Sequence, residues 1–335
     1  MRILVTGAAG FIGSHLSERL LDRGDTVVGL DCLLAESYDP SLKAERWQRL
    51  CEHDRFEAVH GDLRSMDVRE VVSDVDVVVN EAAMTGLARS WEDAAIFREC
   101  NVTAVDRLLE AARHARLHRF VHISTSSVYG EHAMGDERTP TNPVSPYGAT
   151  KLAAERLVHR YAANDEVPGV VLRYFSVYGP RQRPDMAYHR FCEAMLDGEP
   201  LVVFGDGTQT RSNTFVSDCV EATVQALDRA HPGATYNIAG GQRITLNDAI
   251  AVLADEFGVR PVVDWRPPRR GDQRHTGGDA SKAARELGFA PRVTPQEGLR
   301  VQARWHRSRR TQLSFRERDS SARALPRRSV SRTRG

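Results

Sequence analysis

Short apolar runs alternate with amphipathic segments along the first half of the chain. The first apolar run, residues 1–6, is followed by residues 11–22, where leucines recur at helical spacing. A second apolar run covers residues 26–30 and ends at Asp31. Strand, helix and strand in this order predict a βαβ unit, whose two strands lie parallel in one sheet.

The alternation continues to about residue 178. Further strands are predicted at four apolar runs, residues 56–59, 75–79, 120–123 and 170–173. Helical patterns occupy residues 98–115 and the segment that begins at Pro146. Because strands alternate with helices, we predict an α/β fold with a doubly wound parallel sheet.

Proline, glycine and arginine become frequent from Gly179 onward, and the regular alternation is lost. This change predicts a first domain at residues 1–178, with contributions from later segments, and a smaller α/β lobe at residues 179–306. Residues 307–335 carry ten arginines and two acids. Such a basic stretch with few large apolar groups is expected to be a disordered tail.

The turn after the first strand is rich in glycine and reads Thr6-Gly-Ala-Ala-Gly-Phe-Ile-Gly-Ser14. Glycines allow backbone N–H groups to approach a pyrophosphate at a helix N-terminus, so a dinucleotide site of Rossmann type is predicted. Asp31 can bind ribose hydroxyls and would repel a 2′-phosphate, which favours NAD over NADP. The residues expected to contact the dinucleotide on the first turn are Gly7, Ala9, Gly10, Phe11, Ile12 and Gly13.

Parallel sheets bind ligands outside the carboxyl ends of their strands. Asp62, Leu63, Ala82 and Ser124 follow or end predicted strands. We therefore expect these four residues to contact the cofactor as well.

Tyr147 and Lys151 are four residues apart in a helical segment and therefore lie on one face. The unperturbed pKa of a phenol is ~10, and a nearby ammonium lowers it. The pair is a candidate proton-transfer unit, with Tyr147 as the base and acid and Lys151 as its electrostatic partner.

Composition excludes several classes of protein. The chain of 335 residues has no apolar run long enough to span a membrane and no signal-peptide pattern. Its five cysteines are isolated, which is typical of reduced thiols in the cytoplasm. A nucleic-acid partner is not expected. A metal site is not expected either, because the paired histidines 114 and 118 lack acids and a cleft.

Three motifs in order carry a resemblance: the glycine-rich turn, Ser124-Thr-Ser-Ser-Val-Tyr-Gly130, and Tyr147-Gly-Ala-Thr-Lys151. Over residues 1–306 the chain resembles extended short-chain dehydrogenases/reductases of the nucleotide-sugar epimerase/dehydratase family. The resemblance implies a tightly held NAD, catalytic roles for Tyr147 and Lys151, and a hydroxyl-positioning role for Thr125. It also implies a UDP-sugar substrate and a homodimer.

Within this family the sugar chemistry differs between members. Dehydratases carry an acid pair where this chain has Ser126 and Ser127, and serine is a poor acid/base catalyst near pH 7. Ser176 and the run Arg183-Pro-Asp-Met-Ala187 are similar to UDP-glucuronate 4-epimerases. Neutral hydroxyls and Arg183 could hold the sugar carboxylate away from the geometry that loses CO₂.

The resemblance also implies which residues bind the UDP moiety and which residue lines the sugar site. Arg211, Arg269 and Asp272 are expected to bind the UDP, and Arg89 to line the sugar site. Two departures concern Asn80-Glu81, which stands where relatives often have His-Leu, and Met84-Thr85. A UDP-glucose or UDP-GlcNAc 4-epimerase, a UDP-glucuronate decarboxylase and, more distantly, a non-enzymatic NAD-binding protein remain as alternatives.

Overall fold

The computed structural model describes residues 1–35, 38–268 and 273–323, and side chains in the last helix as far as residue 312. The strands are β1 (Arg2–Thr6), β2 (Thr26–Asp31), β3 (Phe56–His60), β4 (Val77–Asn80), β5 (Arg119–Thr125), β6 (His132–Gly135), β7 (Gly169–Tyr174), β8 (Val177–Tyr178), β9 (Leu201–Phe204), β10 (Thr210–Arg211), β11 (Thr214–Phe215), β12 (Thr235–Ile238), β13 (Ile244–Thr245), β14 (Val263–Arg266) and β15 (His275–Gly278).

The helices are α1 (Phe11–Arg23), α2 (Pro40–Cys51), α3 (Arg69–Ser73), α4 (Leu87–Glu92), α5 (Ala94–Arg98), α6 (Ala104–Ala112), α7 (Pro146–Ala163), α8 (Ala187–Asp197), α9 (Val216–Arg229), α10 (Leu246–Phe257), α11 (Ser281–Leu287) and α12 (Pro295–Arg323). A π-helical turn, Glu99–Thr103, joins α5 to α6. A 3₁₀ turn, Ser126–Tyr129, follows β5.

Within the described residues the largest sheet has seven parallel strands in the order β12-β7-β5-β4-β1-β2-β3. Strand β1 pairs with β2 on one side and with β4 on the other, so the strand order reverses at β1/β4. Ligands bind at such a switch point, outside the carboxyl ends of the strands. The predicted α/β fold with a doubly wound parallel sheet is therefore confirmed.

Alternate residues of each strand fill two apolar layers. Ile3 and Val5 face the layer that contains α1 and α9, whereas Leu4 faces the layer that contains α6 and α7. All three side chains are fully buried. This alternation follows from the two-residue repeat of a strand, and it fixes the register that brings the loops together at one edge.

Segments after residue 179 contribute to both halves of the molecule. Strand β12 completes the large sheet beside β7, and α9 packs against α1. A second sheet has the order β13-β10-β15-β6 and takes β6 from the first half of the chain. The division into domains at residues 1–178 and 179–306 stays a prediction.

Helix α12 spans Pro295–Arg323 and so includes the first part of the predicted tail, whose expected disorder stays a prediction. Arg310 forms an ion pair with Asp197 at 2.7 Å, and Arg309 lies 3.7 Å from Glu45. These acidic partners offset the repulsion among the arginines, which the sequence pattern did not reveal. Residues 324–335 lie outside the described part of the chain. Among the described helices, none has both the length and the apolar composition of a membrane span.

Candidate active site

A cleft opens above the carboxyl ends of the central strands, between the large sheet and the C-terminal lobe. Its volume is about 1420 Å³, which exceeds the ~300–1,000 Å³ of a site for one drug-sized ligand. The cleft can therefore hold two ligands side by side. The predicted residues that line it are Phe11, Ile12, Arg89, Ser124, Thr125, Ser126, Ser127, Tyr147, Lys151, Ser176, Arg183 and Arg211.

The glycine-rich turn is packed too tightly for side chains. A Cβ on Gly13 would lie 2.2 Å from the carbonyl oxygen of Gly7, and Gly7 itself has φ +70°. Helix α1 then begins at Phe11, and its N-cap, Gly10, supplies no side-chain hydrogen bond. The first N–H groups of a helix lack intrahelical partners, so this uncapped end fits the pyrophosphate of a dinucleotide.

The Asp31 carboxylate is fixed beside this turn. Its Oδ2 accepts a hydrogen bond from the Ala9 N–H at 3.0 Å, and its Oδ1 accepts one from the Leu33 N–H at 2.8 Å. The negative charge is thereby held at the end of β2, where it suits a ribose with free hydroxyls rather than a 2′-phosphate.

The other predicted cofactor residues differ in their surroundings. Asp62 forms an ion pair with Arg64 at 2.6 Å, and hydrogen bonding to that guanidinium lowers the pKa of the Asp62 carboxyl. Leu63 is buried in the core, and the Ala82 N–H donates to the Thr6 hydroxyl at 3.1 Å. Their direct contacts with a cofactor stay predictions.

Helix α7 presents Tyr147 to the cleft. The hydroxyl of Ser145 caps the helix by accepting from the Gly148 N–H at 3.1 Å. Burial raises the pKa of the Tyr147 phenol, while the Arg183 charge and a hydrogen bond with Thr125 oppose that rise. The sequence argument assigned the lowering to Lys151, which stays a prediction, and the structure adds the charge of Arg183.

Lys151 is almost completely buried behind Tyr147. Burial lowers the pKa of its ammonium to about 8, and the carboxylates of Glu81 and Glu155 oppose the shift. The Nζ atom lies 3.4 Å from Nε2 of His122. At pH 7 the side chain is therefore mostly charged, as a partner for a phenolate and for ribose hydroxyls requires.

Arg183 reaches into the cleft from the Pro-rich loop before α8. Its guanidinium donates to the Thr85 hydroxyl and forms two hydrogen bonds with Asp185, at 3.0 and 2.8 Å. Ser176 borders the same space with φ +37°, a left-handed conformation that non-glycine residues rarely adopt and that clusters at functional sites. These groups form a polar wall of the cleft that Tyr147 also lines.

The two serines after Thr125 have different surroundings. Ser126 is buried, its hydroxyl lies 3.5 Å from Oε1 of Gln273, and Gln273 donates to the Ser126 carbonyl at 3.2 Å. Ser127 is partly exposed to the cleft and contacts the Thr125 hydroxyl at 3.3 Å. Gln273 thus ties the loop to the C-terminal lobe.

The predicted UDP-binding residues are only partly described. Arg211 lines the cleft and donates from its Nη1 to the carbonyls of Thr210 and Arg274. Arg89 lies on the rim at α4. Arg269 and Asp272 lie outside the described residues.

Sequence reasoning did not place Glu81 in the site, although it noted the unusual Asn80-Glu81 pair. Glu81 lines the cleft at the end of β4, and burial raises the pKa of its carboxyl to about 7. The Tyr174 hydroxyl donates to it at 3.2 Å. A carboxyl directly after β4, a strand of three valines and Asn80, was the signal that could have revealed it.

Asn101 was also missed. It is fully buried in the π-helical turn, where its side-chain amide exchanges two hydrogen bonds with the backbone of Met84, at 2.8 and 2.9 Å. Its Nδ2 also donates to the Thr150 hydroxyl at 3.1 Å. π-helical turns often mark functional sites, but no sequence pattern in this chain predicted one.

Possible metal ligands occur outside the cleft. His114 contacts Glu110 at 3.4 Å on an exposed helix face. Within the described residues, His189, Glu193 and His306 form one group with ligand atoms close together. Glu193 already hydrogen bonds to His306, and Arg310 lies 3.7 Å from the same carboxylate, so we assign no ion there.

Comparisons with known proteins agree with this geometry. A family model described as NAD dependent epimerase/dehydratase family matches residues 3–239. The uncharacterised UDP-glucose epimerase YtcB of Bacillus subtilis is 40% identical over 303 residues, which cover 89% of this chain and 96% of that protein.

Two solved structures share the fold. A UDP-glucuronic acid 4-epimerase from Bacillus cereus, in complex with UDP-glucuronic acid and NAD, is 41% identical with a TM-score of 0.89, covering 92% of this chain and 99% of that one. The dTDP-glucose 4,6-dehydratase DesIV from Streptomyces venezuelae is 32% identical with a TM-score of 0.85, covering 93% and 98%. The fold alone therefore does not decide between epimerisation and dehydration.

Proposed function

Because the chain belongs to the NAD dependent epimerase/dehydratase family, we propose that it is a UDP-sugar 4-epimerase acting on UDP-glucuronate. The product would be UDP-galacturonate, so the enzyme is an isomerase. The observation that carries the proposal is the polar wall of the cleft that Tyr147 lines, where Arg183 acts electrostatically on the phenol and Ser127 and Ser176 supply neutral hydroxyls.

The reaction begins with proton transfer at the sugar O4. Tyr147 takes the O4 proton as a phenolate, and the Thr125 hydroxyl holds that oxygen in place. Lys151 supplies a buried positive charge that stabilises the phenolate state and can bind ribose hydroxyls. The glycine-rich turn and Asp31 would hold NAD, which would supply a reversible hydride acceptor for C4, while the cleft leaves room for the sugar to present either face to it.

The same residues disfavour dehydration. Expelling a sugar hydroxyl and removing the C5 proton requires an acid and a base beside the ring. The positions after Thr125 hold two serines, and Ser126 is engaged with Gln273. The described loop after β5 therefore offers no carboxyl group for elimination, unlike the acid pair of the dehydratases that the chain resembles.

The carboxylate of the substrate requires a cation. Arg183 can bind a carboxylate through two parallel hydrogen bonds, as it binds Asp185 in this structure. The Arg183–Asp185 pair is partly exposed, and such pairs contribute only ~0–1 kcal/mol. A substrate carboxylate can therefore displace Asp185 and be held in one orientation, away from the geometry for loss of CO₂.

A UDP-glucose 4-epimerase is the second candidate. The observation that favours it is again Asp185, because its charge neutralises Arg183 and leaves a wall that a neutral CH₂OH group could also contact. Both reactions share Tyr147, Lys151 and Thr125, so they differ only at the substituent on C5.

The two candidates are separated by substrate preference. We expect kcat/KM for UDP-glucuronate to exceed that for UDP-glucose by about ten- to a hundredfold, since a charge-assisted pair contributes ~1.5–3 kcal/mol. Arg183→Gln should remove this preference, whereas Arg190→Gln, on the cleft-lining helix α8, should keep it. Equal rates in the unmodified enzyme would support the UDP-glucose epimerase instead.

The proposal also covers the cellular location and the assembly of the enzyme. We propose a cytoplasmic enzyme, consistent with five cysteines that form no disulfide. We also propose a homodimer through the faces of α6 and α7, which the family resemblance implies. The two helices pack against each other within one chain, and their outer faces carry charged residues such as Arg160 and Asp106.

A further inference from the structure

A chain of buried polar side chains runs across three strands to Lys151. The Thr6 hydroxyl on β1 and the Asn80 amide on β4 are 2.7 Å apart. Asn80 Nδ2 lies 3.1 Å from Nδ1 of His122 on β5, and Nε2 of His122 lies 3.4 Å from Lys151 Nζ. Asn80 and His122 are direct partners in the strand register, and both are buried.

His122 is electrically neutral in this position. Burial, Lys151 and His159 together lower the pKa of its ring well below the usual value. A neutral imidazole has one N–H donor and one acceptor nitrogen. The Lys151 ammonium can only donate, so Nε2 must be the acceptor and Nδ1 must carry the hydrogen.

This tautomer requires a particular orientation of Asn80. With hydrogen on Nδ1, the amide oxygen of Asn80 must face His122, and its NH₂ group must face the Thr6 hydroxyl. In the structure Oδ1 of Asn80 accepts from the Thr6 hydroxyl and Nδ2 faces His122, so this tautomer requires the amide to turn by 180°. The oxygen and nitrogen of an amide occupy equivalent positions, and after the turn the Thr6 hydroxyl accepts from the Asn80 NH₂ as it accepts from the Ala82 N–H. Asn80 thus selects the tautomer that presents a lone pair to Lys151.

Other charged groups also face Lys151. Glu81 approaches from the end of β4 and Glu155 from the next turn of α7. Glu155 is already paired with Arg173 at 2.6 Å and also accepts from the Ser124 hydroxyl. Tyr147 lies one turn earlier on α7, and His159 acts on His122 from the same helix. Of the groups described around Lys151, only His122 is a neutral acceptor with a hydrogen-bond partner at each ring nitrogen.

We propose that His122, oriented by Asn80, is a positioning residue that holds the Lys151 ammonium in place behind Tyr147. The imidazole accepts a hydrogen bond from one N–H of the ammonium in a fixed direction. The other two N–H groups can then donate to the phenolate and to a ribose. The proposal rests on the catalytic role of Lys151 in the proposed function. It predicts that the charge of Lys151 depends on a ring that never touches substrate.

The test compares three variants in the NAD-bound protein as purified. His122→Phe removes both ring nitrogens, and His122→Gln keeps a side-chain acceptor. His189→Phe is the matched control, because it removes another buried imidazole with a hydrogen bond, to the Gln182 carbonyl at 2.7 Å. The pKa of Lys151 is measured by competitive labelling with acetic anhydride and mass spectrometry, and the pH profile of kcat/KM is recorded alongside.

His122→Phe should lower the pKa of Lys151 by about one to two units, because a hydrogen bond to a charged group is lost. The alkaline limb of the pH profile should move to lower pH by a similar amount, and His122→Gln should restore part of it. A purely structural role would instead lower the melting temperature of both Phe variants and leave the Lys151 pKa unchanged, which overturns the inference. A shifted Lys151 pKa in a protein that converts no UDP-sugar would support the inference and overturn the proposed function.

Discussion

The chemistry depends on the phenol of Tyr147, and the surrounding groups act on its pKa in opposite directions. Burial raises the pKa of the phenol, while Arg183 and Thr125 stabilise the phenolate. The same Arg183 is proposed to bind the substrate carboxylate. Binding an anion there would weaken its help to the phenolate, so Lys151 and the cofactor charge must then carry that role.

Replacing Tyr147 by Phe should lower kcat by about 10²–10⁴-fold, because the proton acceptor at O4 is lost. The bound nucleotide, measured by absorbance after denaturation, should be unchanged. Tyr161→Phe is the control: it removes a phenol from the same helix whose hydroxyl bonds to Glu110 at 3.1 Å, outside the cleft. Near-normal epimerisation by the Tyr147 variant would rule out this base.

Glu81 should make stability depend on pH. Burial raises the pKa of its carboxyl from 4.5 to about 7, so between these values the native protein holds a proton that the unfolded chain has released. The free energy of unfolding should therefore fall as pH rises from about 4.5 to 7.

Glu81→Gln should reduce this fall by about 1–3 kcal/mol, since each unit of pKa difference corresponds to ~1.4 kcal/mol. Urea titrations at pH 5 and pH 8 measure the difference in the free energy of unfolding between the two pH values. Glu57→Gln, at an exposed carboxyl on β3, is the control and should keep the wild-type difference. An identical pH dependence in wild type and the Glu81 variant would show that Glu81 does not titrate in this range.

At the scale of elements, apolar runs predicted six of the seven strands of the large sheet, because most of these strands are short and continuously buried. Strand β12 was not predicted. Strands β10 and β13 have only two residues each and pair across more than 30 positions, so no local pattern reveals them. The contacts of the first residues of the 307–335 tail could not be predicted from the sequence for a related reason, and its expected disorder stays a prediction. The acidic partners of Arg309 and Arg310 lie on α2 and α8, far away in sequence.

Gly13→Ala tests the glycine-rich turn as a unit. The new Cβ would lie 2.2 Å from the Gly7 carbonyl oxygen, so α1 must shift away from the turn. We expect a loss of about 1–3 kcal/mol in stability and of most of the bound NAD, measured by thermal unfolding and nucleotide content. Gly198→Ala is the control: its Cβ meets nothing, and only its φ of +71° is unfavourable, so NAD content should stay normal.

At the scale of the whole molecule, the site is formed by residues from both halves of the chain. The dinucleotide turn, Thr125 and Tyr147 come from the first half, and their motifs could be recognised in the sequence. Arg183 and Gln273 come from the second half: Arg183 lines the same cleft, and Gln273 contacts the loop after β5, which only the fold shows. The resemblance that the motifs carry implied the hydride chemistry, whereas the contacts that decide the substrate depend on packing between distant segments.

The central claim is that this cleft epimerises a UDP-sugar bearing a carboxylate without losing it. The most direct measurement incubates the purified protein with UDP-glucuronate, without added NAD, and identifies the products by NMR. The structure predicts UDP-galacturonate with the carboxylate intact and no exogenous cofactor required. Formation of UDP-xylose or a 4-keto-pentose, or the absence of any product while UDP-glucose is converted, would contradict that claim.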